Sequence, residues 1–278
     1  MAFLFGRRSG VAVVEIHGVI GTRVREPAYS RIFDSIGRNK RYGALLLDIE
    51  SPGGSATGSD LLYHSLKRVA ERKPVVAYVR GIGASGGYYL CCAASKVVAL
   101  PTTLVGSVGV IYLRPILEQL LGKVGIEFSV FKGGRLKDMS GFWRSPTTEE
   151  SEKFQGLITE MYDNFVSVVA QGRSLEESKV RELATGEVYT ARKGQELGLV
   201  DELGDFHRAL ELAAQLGNTR PRPRWLRPRR SLSDRLMGRS SRQPALELFT
   251  AEAQRLLAGG IYYLEPSHLL GEGLGDGE

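Results

Sequence analysis

A serine set among four glycines separates an apolar run from a helical run, and this stretch constrains the fold more than any other. The apolar run, Val75–Val79, has the length of a buried strand, and residues 88–95 have helical character. Glycine permits a sharp bend where a Cβ would clash. Ser85 would therefore sit exposed on a turn from strand to helix, with the next backbone N–H free to bind an oxyanion. Such a turn is the geometry of a nucleophile elbow, but a purely structural glycine turn has the same pattern.

The chain up to residue 216 alternates apolar runs with amphipathic segments. Residues 44–49 form an apolar run that is typical of a strand buried on both faces, and the turn signal Ser51-Pro-Gly-Gly54 follows it. Residues 57–72 then have the apolar spacing of an amphipathic helix. Strands that alternate with helices at this spacing predict an α/β domain with mostly parallel strand pairing.

The positive charge of the chain is concentrated near its C-terminal end. The formal net charge is +6, yet residues 218–242 hold nine arginines and one acidic residue, so the rest of the chain is close to neutral. We predict one folded domain over residues 10–216, an Arg/Pro-rich linker over 217–244, and a tail over 245–278 with one short helix. The arginines could lie on an anionic membrane surface, although a solvated segment is the simpler interpretation.

Composition excludes several classes of protein. The two cysteines, Cys91 and Cys92, are adjacent, which rules out a disulfide framework, and no Cys/His spacing fits a metal site. No window offers about 18 uninterrupted apolar residues, and the first residues are too few and too polar for a signal peptide. No nucleic-acid-binding motif accompanies the arginines. We expect no cofactor, no metal and no nucleic acid, and a cytoplasmic location with peripheral membrane contact as the alternative.

A serine nucleophile requires a base, and the four histidines of this chain are poorly placed to supply one. None of them falls into a pattern with an aspartate that would indicate a triad. A lysine can act instead when burial or neighbouring groups bring its pKa near neutral. Lys137 is the best candidate, because it follows two glycines in a loop and is flanked by Leu136 and Met139, which could exclude water. A solvated loop lysine remains the alternative.

Several short motifs occur in a fixed order along the chain. They are Ser51-Pro-Gly-Gly54, Ala84-Ser-Gly-Gly-Tyr-Tyr89, Gly106-Ser-Val-Gly-Val-Ile111, Lys137-Asp-Met-Ser140, Val188-Tyr-Thr190 and Glu196-Leu-Gly-Leu-Val-Asp-Glu-Leu-Gly204. Through these motifs, residues 10–216 resemble the S49 serine peptidases, the family of signal peptide peptidase A and protease IV. The resemblance implies a Clp/crotonase-like fold built from repeated β-β-α units.

The resemblance also implies a role for each residue of the candidate site. Ser85 corresponds to the nucleophile and Lys137 to the general base of a Ser–Lys dyad. Ser107 corresponds to a serine that hydrogen-bonds the lysine and orients its neutral amine. The backbone N–H groups of Gly54 and Gly86 correspond to the oxyanion hole, in agreement with the close backbone approach that glycine allows. Family members cleave hydrophobic peptides such as released signal peptides. They assemble into rings or domes whose subunits can share active sites, so we expect a homo-oligomer.

Two other classes of function stay open. A crotonase-type acyl-CoA enzyme would share the fold and the glycine oxyanion hole but would use carboxylates, and residues 81–87 contain neither Asp nor Glu. A non-catalytic scaffold would keep the fold alone, whereas this chain keeps the serine, the lysine and both oxyanion glycines. Family members often carry an N-terminal membrane anchor, and we expect none here.

Overall fold

A computed structural model describes residues 10–228 and 260–264 of the chain. The strands are β1 Gly10–His17, β2 Tyr42–Ser51, β3 Gly53–Ser55, β4 Val75–Ala84, β5 Lys96–Ala99, β6 Leu104–Gly106, β7 Ile111–Leu113, β8 Val188–Thr190, β9 Glu202–Leu203, β10 Pro223–Trp225 and β11 Gly260–Leu264. The helices are α1 Glu26–Arg38, α2 Ala56–Ala70, α3 Gly86–Cys91, α4 Glu118–Lys123, α5 Thr148–Arg173, α6 Glu177–Leu183, α7 Ala191–Glu196 and α8 Phe206–Leu216.

A parallel sheet forms the frame of the fold. Its strands follow the order β10-β1-β2-β4-β5-β9, and each neighbouring pair on this path is parallel. β6 pairs with the last residues of β4, and β8 adds to β6 in the antiparallel direction. β2 and β4 are central strands, so their apolar runs are almost completely buried. The predicted α/β domain with mostly parallel pairing is confirmed.

Helix α8 covers one face of this sheet with small side chains. Ala209 and Ala213 of α8 are buried against residues from four strands. Those strand residues are Val11, Val13, Ala44, Leu46, Val76, Tyr78 and Val98. Helix α1 packs on α2, and α2 packs on α3. Truncating one of the large buried side chains, as in Leu46→Ala, is expected to cost about 2–5 kcal/mol of stability.

The segment after α7 ties a helix end to the sheet. Asp201 accepts a 2.8 Å hydrogen bond from the backbone N–H of Val97 and pairs with Arg173, the last residue of α5, at 2.6 Å. Lys96 adds a third contact at 3.0 Å. Burial alone would raise the pKa of Asp201, but Arg173 and the other donors lower it below its usual value. One acidic residue of the 196–204 motif therefore fixes the C-terminal end of α5 against β5 within the same part of the sheet.

The described chain divides into two compact units. The first contains residues 10–109, 164–228 and 262–264, and includes the parallel sheet. The second contains residues 110–163 and 260–261. The sequence prediction of one domain over residues 10–216 does not anticipate this division.

Aromatic clusters organise the second unit. Phe128 stacks on Trp143 with ring centroids 5.4 Å apart, and Phe142 meets both rings edge-on. Tyr112 of β7 stacks on Phe154 of α5 at 4.4 Å. Ring pairs of this kind contribute about 0.5–1.5 kcal/mol each beyond their area burial. Helix α4 has no fully buried residue, and its Leu120 is exposed.

Two strands lie in the region predicted as linker and tail. β10, within the predicted linker 217–244, pairs in parallel with β1 at the edge of the sheet. β11, within the predicted tail 245–278, pairs in the antiparallel direction with β3. The sequence predicts neither strand, because each is short and its partner is distant along the chain. The predicted helix over 245–257 and the arginines from 229 to 242 lie outside the described residues.

Candidate active site

Ser85 sits at the sharp turn that joins β4 to α3. Its φ of 51° and ψ of −117° lie in a region that non-glycine residues rarely adopt. The Ser85 N–H donates a 2.7 Å hydrogen bond to the carbonyl oxygen of Gly106, and the Tyr89 N–H donates to the carbonyl oxygen of Ser85 at 2.8 Å. The Ser85 side chain does not cap α3. The turn that the sequence predicts is present and is held by backbone hydrogen bonds at both ends.

The expectation that this serine is exposed is wrong for the chain as described. Only 1% of Ser85 is exposed. The cause lies at the next residue, Gly86, where an added Cβ would lie 3.1 Å from the carbonyl oxygen of Tyr263 and 3.2 Å from the Cα of Gly53. Strands β3 and β11 therefore cover the turn.

The turn after β2 is tied to the loop that follows β1. The hydroxyl of Ser51 donates to the carbonyl oxygen of Gly18 at 2.7 Å, and the Ile20 N–H donates to the carbonyl oxygen of Gly53 at 2.7 Å. Gly53 and Gly54 have φ angles of +104° and +149°, and a Cβ on Gly54 would lie 2.6 Å from the nitrogen of Ile20. Only glycine satisfies both the backbone angles and the spacing.

The two predicted oxyanion residues, Gly54 and Gly86, are brought together through Gly53. A Cβ on Gly53 would lie 2.7 Å from the backbone nitrogen of Gly86, and a Cβ on Gly86 would overlap the hydroxyl of Ser59. The missing side chains let two backbone segments meet next to Ser85.

Ser107 follows β6 as Ser85 follows β4. Because Ala84 is paired with Gly106 in the sheet, the two serines leave neighbouring strands side by side. Ser107 also has a φ of 51°, is 5% exposed, and donates its N–H to the carbonyl oxygen of Glu187 at 2.7 Å. The structure therefore brings Ser107 to the Ser85 turn, and both serines have the same positive φ.

Lys137 lies in the second unit, in the loop between α4 and α5. Its N–H donates to the carbonyl oxygen of Gly134 at 3.2 Å, which closes a tight turn. The sequence predicts that Leu136 and Met139 shield this lysine from water. Both are half-buried, but Lys137 itself is exposed in the single chain.

The carboxylates near this loop are paired with other cations. Asp138 contacts Lys132 and Arg144, and these contacts lower the pKa of Asp138. Glu150 contacts Arg144 and accepts a 2.9 Å hydrogen bond from the Thr147 N–H. Arg144 first, and then Thr147, lower the pKa of Glu150 to about 2. Among the residues that the structure describes, Lys137 has no carboxylate partner.

A buried cluster of aromatic rings adjoins the Ser85 turn, and the sequence patterns did not predict it. The ring of Tyr89 lies 5.1 Å from that of Tyr63 and 5.0 Å from that of Phe165. Its hydroxyl donates to Asp60 Oδ1 at 2.7 Å and accepts from Asn164 Nδ2 at 3.0 Å. Burial, and then the Asp60 carboxylate, raise the pKa of Tyr89, so the phenol stays neutral. In the sequence, the second tyrosine of the 84–89 motif is the one feature that points to this cluster, because the other two rings come from the distant helices α2 and α5.

A buried carboxylate lies near the ends of three parallel strands. Asp48 of β2 is fully buried and accepts two hydrogen bonds from Arg80 of β4. The Nε2 of His17, at the end of β1, lies 3.7 Å from Asp48 Oδ1, which is too long for a hydrogen bond but close enough for charge attraction. The Asp48 carboxylate raises the pKa of His17. Burial alone would raise the pKa of Asp48, but His17 and Arg80 lower it, so the carboxylate stays ionised inside the fold.

The described residues offer neither a reactive thiol nor a metal site. Cys91 and Cys92 are buried, and burial raises the pKa of each thiol, that of Cys92 to about 12, so neither is a ready thiolate. Within residues 10–228 and 260–264, no group of three or more His, Cys, Asp or Glu side chains is arranged to hold a metal ion. In that part of the chain, no helix combines the length and the apolar character needed to cross a membrane.

A comparison with protein families decides the class of this molecule. The model of peptidase family S49 matches residues 67–220, more than half of the chain. The chain belongs to peptidase family S49. The matched range contains Ser85, Gly86, Ser107 and Lys137, whereas Gly54 lies before it. The chain is therefore a serine-type peptidase, a hydrolase, and its sheet and helices form the ClpP/crotonase-like fold of S49 peptidases.

Individual S49 relatives agree with this assignment. A Synechocystis sp. protein named "Putative protease" is 40% identical over 79% of this chain and 78% of its own length. The chloroplastic serine protease SPPA of Arabidopsis thaliana is 34% identical over 76% of this chain and 32% of its own length. An Enterococcus faecium protein named "Putative signal peptide peptidase SppA" is 34% identical over 63% of this chain and 52% of its own. The chain thus spans most of the first relative, about a third of the second and about half of the third.

Proposed function

We propose that this peptidase uses a Ser–Lys dyad, with Ser85 as the nucleophile and Lys137 as the general base. The observation that carries the proposal is the backbone of Ser85, which has a φ of 51° at a strand-to-helix turn and donates its N–H to the carbonyl oxygen of Gly106. Folding must stabilise such a conformation, and strained serines at this kind of turn are characteristic of nucleophiles. The neighbouring oxyanion glycines support the same role.

The chemistry of each group defines its part in the reaction. The neutral amine of Lys137 accepts the hydroxyl proton of Ser85 while Oγ attacks the peptide carbonyl carbon. The N–H groups of Gly54 and Gly86 bind the oxyanion, and losing one such donor typically costs about 2.7–4 kcal/mol of transition-state stabilisation. Lys137 passes the proton to the leaving amine and then accepts a proton from the water that hydrolyses the acyl-enzyme. Ser107 orients the lysine amine.

Hydrophobic peptides, such as released signal peptides, are the proposed substrates. The aromatic cluster of Tyr63, Tyr89 and Phe165 supports this choice, because its rings lie one helical turn from Ser85 and rings of this kind pack well on apolar side chains. The printed name of the Enterococcus faecium relative, a signal peptide peptidase, points in the same direction.

A homo-oligomer, arranged as a ring or dome, is the proposed active form. Large apolar side chains are exposed between residues 116 and 131, and patches of this kind commonly mark interfaces. They are Ile116, Leu120, Val124, Ile126, Phe128, Val130 and Phe131. Lys137 is also exposed in the single chain, although a lysine base must be shielded from water to stay neutral. We therefore propose that a neighbouring subunit completes the surroundings of Lys137.

Hydrolysis of a fluorogenic hydrophobic peptide tests the dyad. Ser85→Ala and Lys137→Ala should each lower kcat by at least about a thousandfold, because the nucleophile or its base is lost. Lys132→Ala is the matched control, since Lys132 lies in the same loop but is paired with Asp138, and it should retain activity. Undiminished hydrolysis by either the Ser85→Ala or the Lys137→Ala variant would contradict the dyad assignment.

A further inference from the structure

The segment that follows β7 is hydrogen-bonded to the loop between α4 and α5. Arg114 Nη1 donates to the carbonyl oxygen of Met139 at 2.6 Å and to that of Gly141 at 3.0 Å. The N–H of Leu117 donates to the carbonyl oxygen of Phe142 at 2.8 Å. All of these residues belong to the second unit. One guanidinium nitrogen therefore joins two carbonyl groups of the loop, just after its lysine.

Ionic contacts fix the residue that directly follows Lys137. Asp138 contacts Lys132, and Arg144 Nε donates to Asp138 Oδ2 at 3.2 Å. The Asp138 side chain and the two carbonyl groups bound by Arg114 thus hold the backbone immediately after Lys137. Among these contacts, those of Arg114 act on the backbone itself, so they set its path most directly.

Stability alone does not account for the position of the Arg114 guanidinium. Its Nη2 is shielded from solvent and, within the described part of the chain, has no hydrogen-bond partner. Burying a charged donor without a partner costs free energy, which offsets part of what the two bonds from Nη1 contribute. A guanidinium in this place is better explained by the arrangement of the loop than by a gain in folding energy.

We propose that Arg114 is a positioning residue for the general base and acts through the backbone of the loop. The inference rests on the proposed function, in which Lys137 takes the proton of Ser85. A base works only when it lies within about 2.6–3.2 Å of the group that gives up the proton, and a misplacement of about 1 Å can cost about a hundredfold in rate. Without Nη1, the carbonyl groups of Met139 and Gly141 lose this donor, and the loop takes up arrangements in which the amine misses the proton.

Hydrolysis of the fluorogenic peptide by the full chain tests this role with Arg114→Met. Methionine keeps much of the apolar stem and removes the N–H donors. We expect kcat per folded chain to fall by about 10–100-fold and KM to stay within about twofold of the wild type, because binding of the peptide does not need the base. Arg135→Met is the matched control and should keep kcat, since Arg135 lies in the same loop but is exposed and pairs with Glu149. An Arg114→Met chain with the kcat of the wild type would overturn the proposal.

A double variant separates positioning of the base from a general structural role. Arg114→Met is compared in the wild-type and Lys137→Ala backgrounds on a peptide ester with an activated leaving group, with rates referred to the folded fraction. If Arg114 acts through Lys137, its loss should leave the residual rate of Lys137→Ala unchanged. An equal loss of rate in both backgrounds would refute positioning. Because only folded chains are compared, the result holds even where Arg114→Met is less stable.

The Lys137→Ala chain also separates this inference from the proposed function. If Lys137→Ala hydrolyses the fluorogenic peptide like the wild type, the proposed base fails, and this inference fails with it. If Lys137→Ala loses hydrolysis while Arg114→Met keeps full kcat, the inference fails alone and the dyad stands.

Discussion

The backbone N–H of Ser85 donates a 2.7 Å hydrogen bond to the carbonyl oxygen of Gly106. This bond joins the end of β4 to the end of β6, two strands that are paired in parallel at Ala84 and Gly106. It helps to hold Ser85 at positive φ and sets Ser107 next to the turn. The geometry of the proposed nucleophile therefore depends on a strand that the chain reaches only after α3 and β5.

Gly106→Ala should distort the turn at Ser85 although Ser85 itself is unchanged. Gly106 has a φ of +98°, and an added Cβ would lie 3.0 Å from the ring of Tyr189 and 3.1 Å from the carbonyl oxygen of Glu187. We expect the free energy of unfolding to fall by about 1–2 kcal/mol, because alanine is strained at this φ. We expect kcat to fall more than the loss of folded protein explains, because the acceptor for the Ser85 N–H moves.

Chemical denaturation and kcat for a fluorogenic peptide measure both effects. Gly122→Ala is the control, because an added Cβ there meets nothing within 4 Å. That variant should keep the kcat of the wild type and be at least as stable, because alanine is favoured over glycine within a helix. If Gly106→Ala kept full kcat, the link between this hydrogen bond and catalysis would be refuted.

Ser107→Ala should lower the rate of the reaction with little effect on substrate binding. If the Ser107 hydroxyl orients the amine of Lys137, its removal leaves the base misplaced in the transition state. We therefore expect kcat to fall by about 10–100-fold while the KM for the fluorogenic peptide stays close to that of the wild type. A serine with a purely structural role would instead lower the free energy of unfolding, measured by chemical denaturation. Ser95→Ala serves as the control, since Ser95 is exposed and its hydroxyl donates a hydrogen bond to the carbonyl oxygen of Val75.

Phe131→Ser should weaken the proposed homo-oligomer. Phe131 is 95% exposed in the single chain, and burying such a ring in an interface stabilises it by about 1.5–3 kcal/mol. We expect a smaller mass in light scattering and, since the subunits are proposed to share active sites, lower activity per subunit. Leu61→Ser is the control, because Leu61 is exposed at 47% on helix α2 of the other unit. A monomeric wild type with full activity would count against shared sites.

The ion pair of Glu150 with Arg144 should make stability depend on acidic pH. The pKa of Glu150 falls from its usual 4.5 to about 2, so its ionised form stabilises the folded chain. That contribution is complete above pH about 4.5 and is lost as the pH drops towards 2. Glu150→Gln should therefore lower Tm at neutral pH, and the difference from the wild type should close near pH 2. Glu152→Gln, at an exposed position of the same helix, should leave the profile unchanged.

Much of the fold could be predicted from local patterns. The apolar runs at residues 44–49 and 75–79 indicate strands buried on both faces, because length and composition are enough to recognise a central parallel strand. The turn at Ser85 could also be predicted from the sequence, since only glycine tolerates the close backbone approach at Gly86. The exposure of Ser85 could not be predicted, because the segment that covers it comes from the far end of the chain.

The sequence alone determined the family, the parallel α/β frame and the identity of the candidate nucleophile, because these depend on residue types at short spacings. Only the tertiary structure decided which segments meet at that nucleophile. The pairing of Tyr263 with Gly54 and the hydrogen bond from Ser85 to Gly106 join residues that are distant along the chain. Such pairings depend on packing and on the closure of long loops, and no local pattern encodes their register.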